Sequence, residues 1–150
     1  VLLKKILPDG FVFFTNIESN KGKHFKSNNF LSMCFYWENL KKQIRVVGKG
    51  RICDEKDSDD YFSTRIRGSQ IGAWASKQSS EIENRSYLLK KFNQYSKKFK
   101  NKQVPRPKYW VGIKITPIDY EFWEGGEFRI HKREFYYLRN KIWQKKILSP

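Results

Sequence analysis

The sequence predicts a mainly β protein, a small antiparallel β-barrel with helices at its periphery, and three observations lead there. Short runs rich in β-branched and aromatic residues recur along the chain, and only three stretches have helical spacing. The last third reads as successive strands separated by turns, an antiparallel meander that packs best by curling on itself. At 150 residues the chain has the size of one domain and can bury roughly 70% of its unfolded surface.

Val1 to Leu7 reads as an apolar strand that Pro8, Asp9 and Gly10 turn into a second strand, Phe11 to Asn16. Ser19 to Asn28 fits a short helix with Ser19 as its N-cap, a hydroxyl placed to accept an otherwise free amide. Phe30 to Trp37 and Gln43 to Asp54 are two more strands, the second long and β-branched. Asp57 to Thr64 reads as a helix whose acidic opening suits the positive end of the helix dipole. Asn84 to Phe99 is the longest helix, with Leu88, Leu89, Phe92, Tyr95 and Phe99 at helical spacing. Val104-Pro105-Arg106-Pro107 ends it in extended chain. Tyr109 to Ile115, Tyr120 to Glu124, Phe135 to Arg139 and Trp143 to Leu148 complete the meander. No repeat or low-complexity linker divides the chain, so residues 1–150 are expected to form a single domain.

Composition narrows the function classes. Hydrophobic residues make up 39% of the chain, and no apolar run approaches the ~18 residues of a membrane span, so a soluble protein is expected. No leader pattern of charged, apolar and small residues opens the chain. Cys34 and Cys53 are not in a Cys-x-x-Cys pair, which argues against zinc and a disulfide framework and for a reducing cytoplasm. Cys34 lies in an apolar strand and is expected in the core. A net charge of +16 ordinarily points to nucleic acid. Here, however, Lys90, Lys91, Lys97, Lys98, Lys100 and Lys102 gather on one helix and its exit, as on a solvated face. Lysines also outnumber the arginines that read phosphates and bases in bidentate fashion. A basic RNA-binding barrel is therefore the least favoured reading.

The stretch from Glu121 to Arg133 carries the clearest chemistry. A strand ends at Phe122 and Trp123, turns through Gly125 and Gly126, and then presents Arg129, His131 and Arg133 two residues apart. On extended backbone those three side chains share a face. Two guanidiniums and an imidazole beside an indole suit a planar, anionic, ring-containing ligand, and a core cannot easily absorb them. The competing reading is a solvated charged strand. No glycine-rich phosphate loop is present, so basic side chains must hold any phosphate.

A second segment decides between these readings. Tyr61, Arg65, Arg67, Ser69-Gln70-Ile71-Gly72, Trp74 and Gln78-Ser79 closely resemble the central signature of the pyridoxamine 5'-phosphate oxidase family. Lys4, Phe14-Thr15-Asn16, the run Ser19 to Lys23, and Phe35 through Gln43 fit the same family upstream. Val104 to Pro107, Trp110, Glu121 to Trp123 and Arg129 to His131 fit it downstream. The resemblance spans the whole chain and implies an antiparallel FMN-binding split barrel. The implied reaction is FMN-dependent oxidation of pyridoxamine and pyridoxine 5'-phosphate to pyridoxal 5'-phosphate, with O2 as acceptor and H2O2 as product. A catalytically weak relative that binds flavin or pyridoxal phosphate is the alternative.

The resemblance carries FMN contacts onto Lys4, Phe14, Thr15, Asn20, Lys21, Gln43, Gln78, Ser79, Trp123 and Arg133, with Lys21 and Arg133 suited to phosphate. It carries the substrate phosphate onto Lys4, Tyr61, Arg65 and Ser69, and the pyridine ring onto the catalytic pair Arg129 and His131. With contacts scattered from Lys4 to Arg133, it implies a homodimer with FMN at the interface. Three departures stand out. Phe14 replaces a common tyrosine, Asn20 a usual arginine, and Lys132 a common aspartate, whose loss either raises ligand affinity or disturbs local charge balance. The family's N-terminal segment is also expected to be missing, the chain being either a fragment or a shortened member.

Asn20 generates a test. A neutral amide cannot make the bidentate charged fork of arginine, so Asn20→Arg should tighten FMN about tenfold and make binding more salt-sensitive. Flavin fluorescence titrations at two salt concentrations measure this; an unchanged dissociation constant would mean that Lys23 or Lys26 already compensates.

Overall fold

Alternating side chains and tight turns build one antiparallel sheet in the computed structural model, which describes residues 1–150. Strands β1 (Lys5–Leu7) and β2 (Gly10–Asn16) form a hairpin with Leu7 opposite Gly10. Helix α1 (Asn20–Ser27) follows, then β3 (Phe30–Trp37) paired to β4 (Lys42–Ile52). Three helices come next: α2 (Glu55–Ser63), α3 (Arg67–Ala75) and α4 (Arg85–Lys98). The chain then returns through β5 (Trp110–Glu124), β6 (Lys132–Arg139) and β7 (Ile142–Ile147). Asn140 and Lys141, with φ of 51° and 63°, close the last hairpin as a two-residue turn of the primed type that suits strand twist.

β5 organises the sheet. Its edge facing β4 is paired from Ile113 to Glu124. Its other edge serves two partners in turn: β2 along Trp110–Ile115 and β6 along Asp119–Glu124. The exchange falls around Pro117, which stands opposite Gly48, where β4 slips register between Val47 and Gly48. The sequence reading ends one strand at Ile115 and begins another at Tyr120 because proline breaks ladders. Here the missing N–H sits between two partners and beside a bulge, where its cost is least, and the strand runs through.

The order β1-β2-β5-β4-β3 leaves the sheet open. It still curls. Phe11 of β2 and Phe35 of β3 are at opposite ends of that path, yet their rings lie 6.3 Å apart. Phe13, Ile17, Phe25, Val111, Ile113 and Ile115 fill the curl, with Leu31 and Met33 of β3 packed on them. The expected mainly β, antiparallel split-barrel class with peripheral helices is what the chain adopts. A second core of Phe62, Ile71, Phe99, Val104 and Trp110 joins α2, α3 and α4 to the start of β5.

The expected Ser19 cap is present, and Asn84 caps a second helix. The Ser19 hydroxyl accepts from the Gly22 amide at 3.3 Å, and the Asn84 side chain accepts from the Tyr87 amide at 3.0 Å. The sequence reading assigns no element over α3, whose Gly68 and Gly72 lower helix propensity. Side-chain fastenings supply the difference. Gln70 donates to the carbonyls of Phe62 and Ser63, Arg67 to those of Phe99 and Lys102, and the Trp74 indole to that of Pro105.

Two further expectations are corrected. The first strand starts at Lys5 rather than Val1, although the Lys4 amide still donates to the Val12 carbonyl at 2.9 Å. Cys34 is exposed rather than in the core, because β3 is an edge strand that turns Leu31, Met33 and Phe35 inward and the intervening residues out. No helix is long and apolar enough to cross a membrane.

The bulge leads to a stability prediction. A Cβ on Gly48 would lie 2.4 Å from the Thr116 carbonyl oxygen and 2.7 Å from Ile115 Cγ2, and the backbone carbonyl cannot yield. Gly48→Ala should cost about 1–3 kcal/mol in urea unfolding. An unchanged midpoint would show that β4 and β5 separate there at no cost.

Candidate functional site

α2 ends in a turn in which the amides of Thr64 and Arg65 donate to Tyr61 and Phe62 carbonyls, both at 3.2 Å, and α3 starts two residues later. Tyr61 of α2, Arg65 of the link and Ser69 of α3 line one cavity of about 420 Å³ together with Lys4 from the segment before β1. These are the four residues expected to hold the substrate phosphate. Phe14 and Trp110 complete the wall. Phe14 stacks on Tyr61 at 4.2 Å and on Trp110 at 5.1 Å between ring centres, so the Tyr-to-Phe departure keeps its ring in place.

Arg65 is the unusual group. Its guanidinium carbon lies 4.8 Å from the Trp110 ring centre and 5.6 Å from that of Phe62. Its Nη1 is buried and has no hydrogen-bond partner. Desolvation pushes its pKa down, with the Tyr61 hydroxyl acting in the opposite direction. A half-buried cation with one buried, unanswered donor is costly, and the cavity beside it fits an anion.

A second anion-seeking group lies at the start of α1. The Lys21 ammonium donates to the hydroxyls of Thr15 at 2.5 Å and Ser19 at 3.3 Å, and forms no ion pair. Desolvation lowers its pKa. Thr15 and Ser19 are buried, whereas Asn20 and the candidate substitutes Lys23 and Lys26 are exposed.

The ring-facing candidates occupy the other end of β5. Cross-strand register aligns Gln43 with Trp123 and Trp123 with Arg133. Gln43 and Trp123 line the largest cleft, about 740 Å³, with Trp37, Phe122, Tyr136 and Trp143. The His131 ring lies 4.8 Å from the Trp123 ring, and its Nδ1 accepts from the Gly126 amide at 3.1 Å. Arg133 is already engaged: Nε donates to Glu121 at 2.9 Å and Nη1 to the Ser149 carbonyl at 2.8 Å. The Glu121 carboxylate raises the pKa of Arg133 further and leaves it less free for phosphate than Lys21.

The shared face expected for Arg129, His131 and Arg133 does not form. Glu127–Arg129 is a 3₁₀ turn in which Phe128 and Arg129 have φ of 53° and 65°, and β6 starts only at Lys132. A Cβ at Gly126 would lie 2.0 Å from the Ile130 carbonyl oxygen, so the loop folds back where an extended strand is expected. Arg129 is exposed on that turn. Ser79, at φ 68°, lines a separate cavity of about 470 Å³ after α3, and Gln78 beside it is exposed. Lys132 pairs with Glu134 at 3.3 Å and shares that one carboxylate with Lys145 at 3.0 Å, so the cluster keeps a net positive charge.

One chain thus gathers the four residues expected at the substrate phosphate but leaves most of those expected at the cofactor in separate places. Sequence reasoning misses Trp110, which looks like any core tryptophan, and Glu121. An acid between apolar residues of a strand is the one detectable signal for the latter.

An open, curled antiparallel sheet with a helical end, an arginine-lined pocket and an aromatic cleft defines a protein of the split-barrel class. Residues 3–99 match the family model described as pyridoxamine 5'-phosphate oxidase, and residues 110–150 that of the pyridoxine 5'-phosphate oxidase C-terminal dimerisation region. The chain belongs to the pyridoxamine 5'-phosphate oxidase family. It is 41% identical over 150 residues to a pyridoxine/pyridoxamine 5'-phosphate oxidase of Zymomonas mobilis, covering 100% of the chain and 78% of that protein. It is 47% identical over 152 residues to one of Pelagibacter ubique, covering 100% and 73%. Among solved structures, PhzG from Burkholderia lata in complex with tetrahydrophenazine-1-carboxylic acid superposes with a TM-score of 0.91 at 26% identity, over 99% of this chain and 72% of that one. A pyridoxamine 5'-phosphate oxidase-related, FMN-binding protein of Nostoc punctiforme shares the fold at a TM-score of 0.74 and 13% identity, over 99% and 78%.

The unanswered guanidinium yields a stability test. Arg65→Met should stabilise the ligand-free protein by on the order of 1 kcal/mol while abolishing protection by phosphate. Thermal unfolding with and without inorganic phosphate measures both effects. Equal protection of the two proteins by phosphate would remove Arg65 from the anion site.

Proposed function

We propose that residues 1–150 form one FMN-binding unit that oxidises pyridoxamine and pyridoxine 5'-phosphate to pyridoxal 5'-phosphate, with O2 as acceptor and H2O2 as product. The observation that carries this reading is the convergence of Lys4, Tyr61, Arg65 and Ser69 on one cavity whose guanidinium lacks an anion. Two cations and two hydroxyls match a phosphate dianion. Binding the phosphate there, away from the reacting carbon, turns binding energy into alignment. Arg129 and His131 act on the pyridine ring, His131 oriented by the Gly126 amide and the Trp123 ring.

The residues present fit FMN. Lys21, backed by Thr15 and Ser19, would hold its phosphate, and Phe14, Asn20, Gln43, Trp123, Gln78, Ser79 and Arg133 would meet its remaining parts. Bound there, FMN supplies the two-electron acceptor, and the protein supplies position and charge. The separation of these residues within one chain supports a homodimer with FMN at the interface. Trp37, Phe122 and Trp143, 45%, 40% and 44% exposed, form an apolar surface of the kind such interfaces cover. Two free cysteines accord with a cytoplasmic enzyme.

The FMN-loaded protein should sediment as a dimer and release peroxide with pyridoxamine 5'-phosphate. Arg65→Ala should raise KM about 10- to 150-fold, the loss of one charged hydrogen-bonded pair, while Arg129→Ala should also lower kcat. A flavin-loaded wild type that yields no peroxide above background would sink the reading.

A further inference from the structure

We propose that Trp110 is a positioning residue whose indole face holds the Arg65 guanidinium across the anion cavity, so that substrate phosphate meets a preset pair of donors. The proposal rests on the reading of this cavity as the substrate-phosphate site. Three arginines are half-buried: Arg65, Arg106 and Arg133. Oxygen atoms fix two of them. Arg106 donates to the Asp59 carboxylate at 2.6 Å and the Trp110 carbonyl at 2.9 Å, and Arg133 to Glu121 and the Ser149 carbonyl. Arg65 has no such partner and is held by ring faces, Trp110 at 4.8 Å and Phe62 at 5.6 Å.

The two ways of fixing a guanidinium have opposite consequences for a ligand. A carboxylate takes up the in-plane N–H donors and neutralises the charge, so it competes with phosphate. An aromatic ring attracts the cation through its face and leaves the in-plane donors free. The buried, unpartnered Nη1 is the donor left over by that arrangement.

Trp110 is itself held firmly enough to serve. Its ring is stacked within 7° of Phe14 and meets Phe62 edge-on at 5.1 Å. Its amide donates to the Pro107 carbonyl at 2.9 Å, and its carbonyl is clamped by Arg106, which reaches Asp59 on the same helix as Tyr61. The platform and the phosphate ligand Tyr61 therefore move together.

A double-mutant cycle tests this on the FMN-loaded protein. Trp110→Phe and Trp110→Leu are made alone and with Arg65→Gln, and pyridoxal 5'-phosphate affinity is read by calorimetry beside KM and kcat for pyridoxamine 5'-phosphate. Trp110→Phe should weaken binding about threefold and Trp110→Leu about tenfold, with KM rising in step and kcat within about twofold. With Arg65→Gln present, either change should weaken binding by less than about twofold, because the cation it served is gone. Equal losses in both backgrounds overturn the proposal and leave Trp110 as core packing. If Leu is not tolerated, the Phe variant carries the cycle. Unchanged affinity in Arg65→Gln alone overturns instead the assignment of the cavity to phosphate.

Discussion

Everything in this fold depends on β5 remaining one strand. From Trp110 to Glu124 it holds β4 on one edge while exchanging β2 for β6 on the other. Pro117 and the slip beside Gly48 mark the exchange. If the strand broke there, only β4, which pairs with β5 on both sides of Pro117, would still tie the meander to the curled half. Because it does not break, Trp110 at one end and Trp123 near the other are held on one rigid element. They stand on the order of 40 Å apart along the strand at ~3.3 Å per residue. In one chain they line different cavities. Under the proposed function, the pocket of one copy must therefore work beside the cleft of another, which agrees with the apolar face around Trp143.

The chain handles its candidate ligand-binding cations in three ways that grade their readiness for an anion. Arg133 is bound to a carboxylate and keeps least capacity. Lys21 is bound to two neutral hydroxyls, which orient the ammonium without cancelling its charge. Arg65 rests against rings and retains a buried donor with no partner. Net charge alone conveys none of this grading. Most lysines of α4 add to the +16 from its exposed face, whereas Lys91 is half-buried at the rim of the cavity that Ser79 lines.

Local signals in the sequence were reliable wherever one residue type has one physical job. Ser19 caps its helix, Pro8-Asp9 turns the first hairpin, and the periodicity of α4 gives its length to within a residue at each end. Readings failed where a tertiary partner decides. Pro117 looks like a break because its tolerance comes from Gly48, about seventy residues away, and α3 is invisible because Gln70 and Arg67 fasten it to carbonyls elsewhere. Cys34 was misplaced because an edge strand and a buried one share the same composition. At the candidate site, the family signature names Tyr61, Arg65 and Ser69, and the structure places all three on one cavity. Strand alternation mispositioned Arg129, since left-handed backbone at Phe128 and Arg129 is not encoded by any glycine there.

The shared strand also bears on how such proteins diversify. The helical end, with its pocket, touches only the first half of β5, and the meander with its aromatic cleft touches only the second. Substitutions that reshape one end need not propagate through the other, because the strand between them transmits position but not packing. The Burkholderia lata protein, in complex with tetrahydrophenazine-1-carboxylic acid, keeps this frame at 26% identity. The scaffold behaves as two modules on one axle, open to revision one at a time.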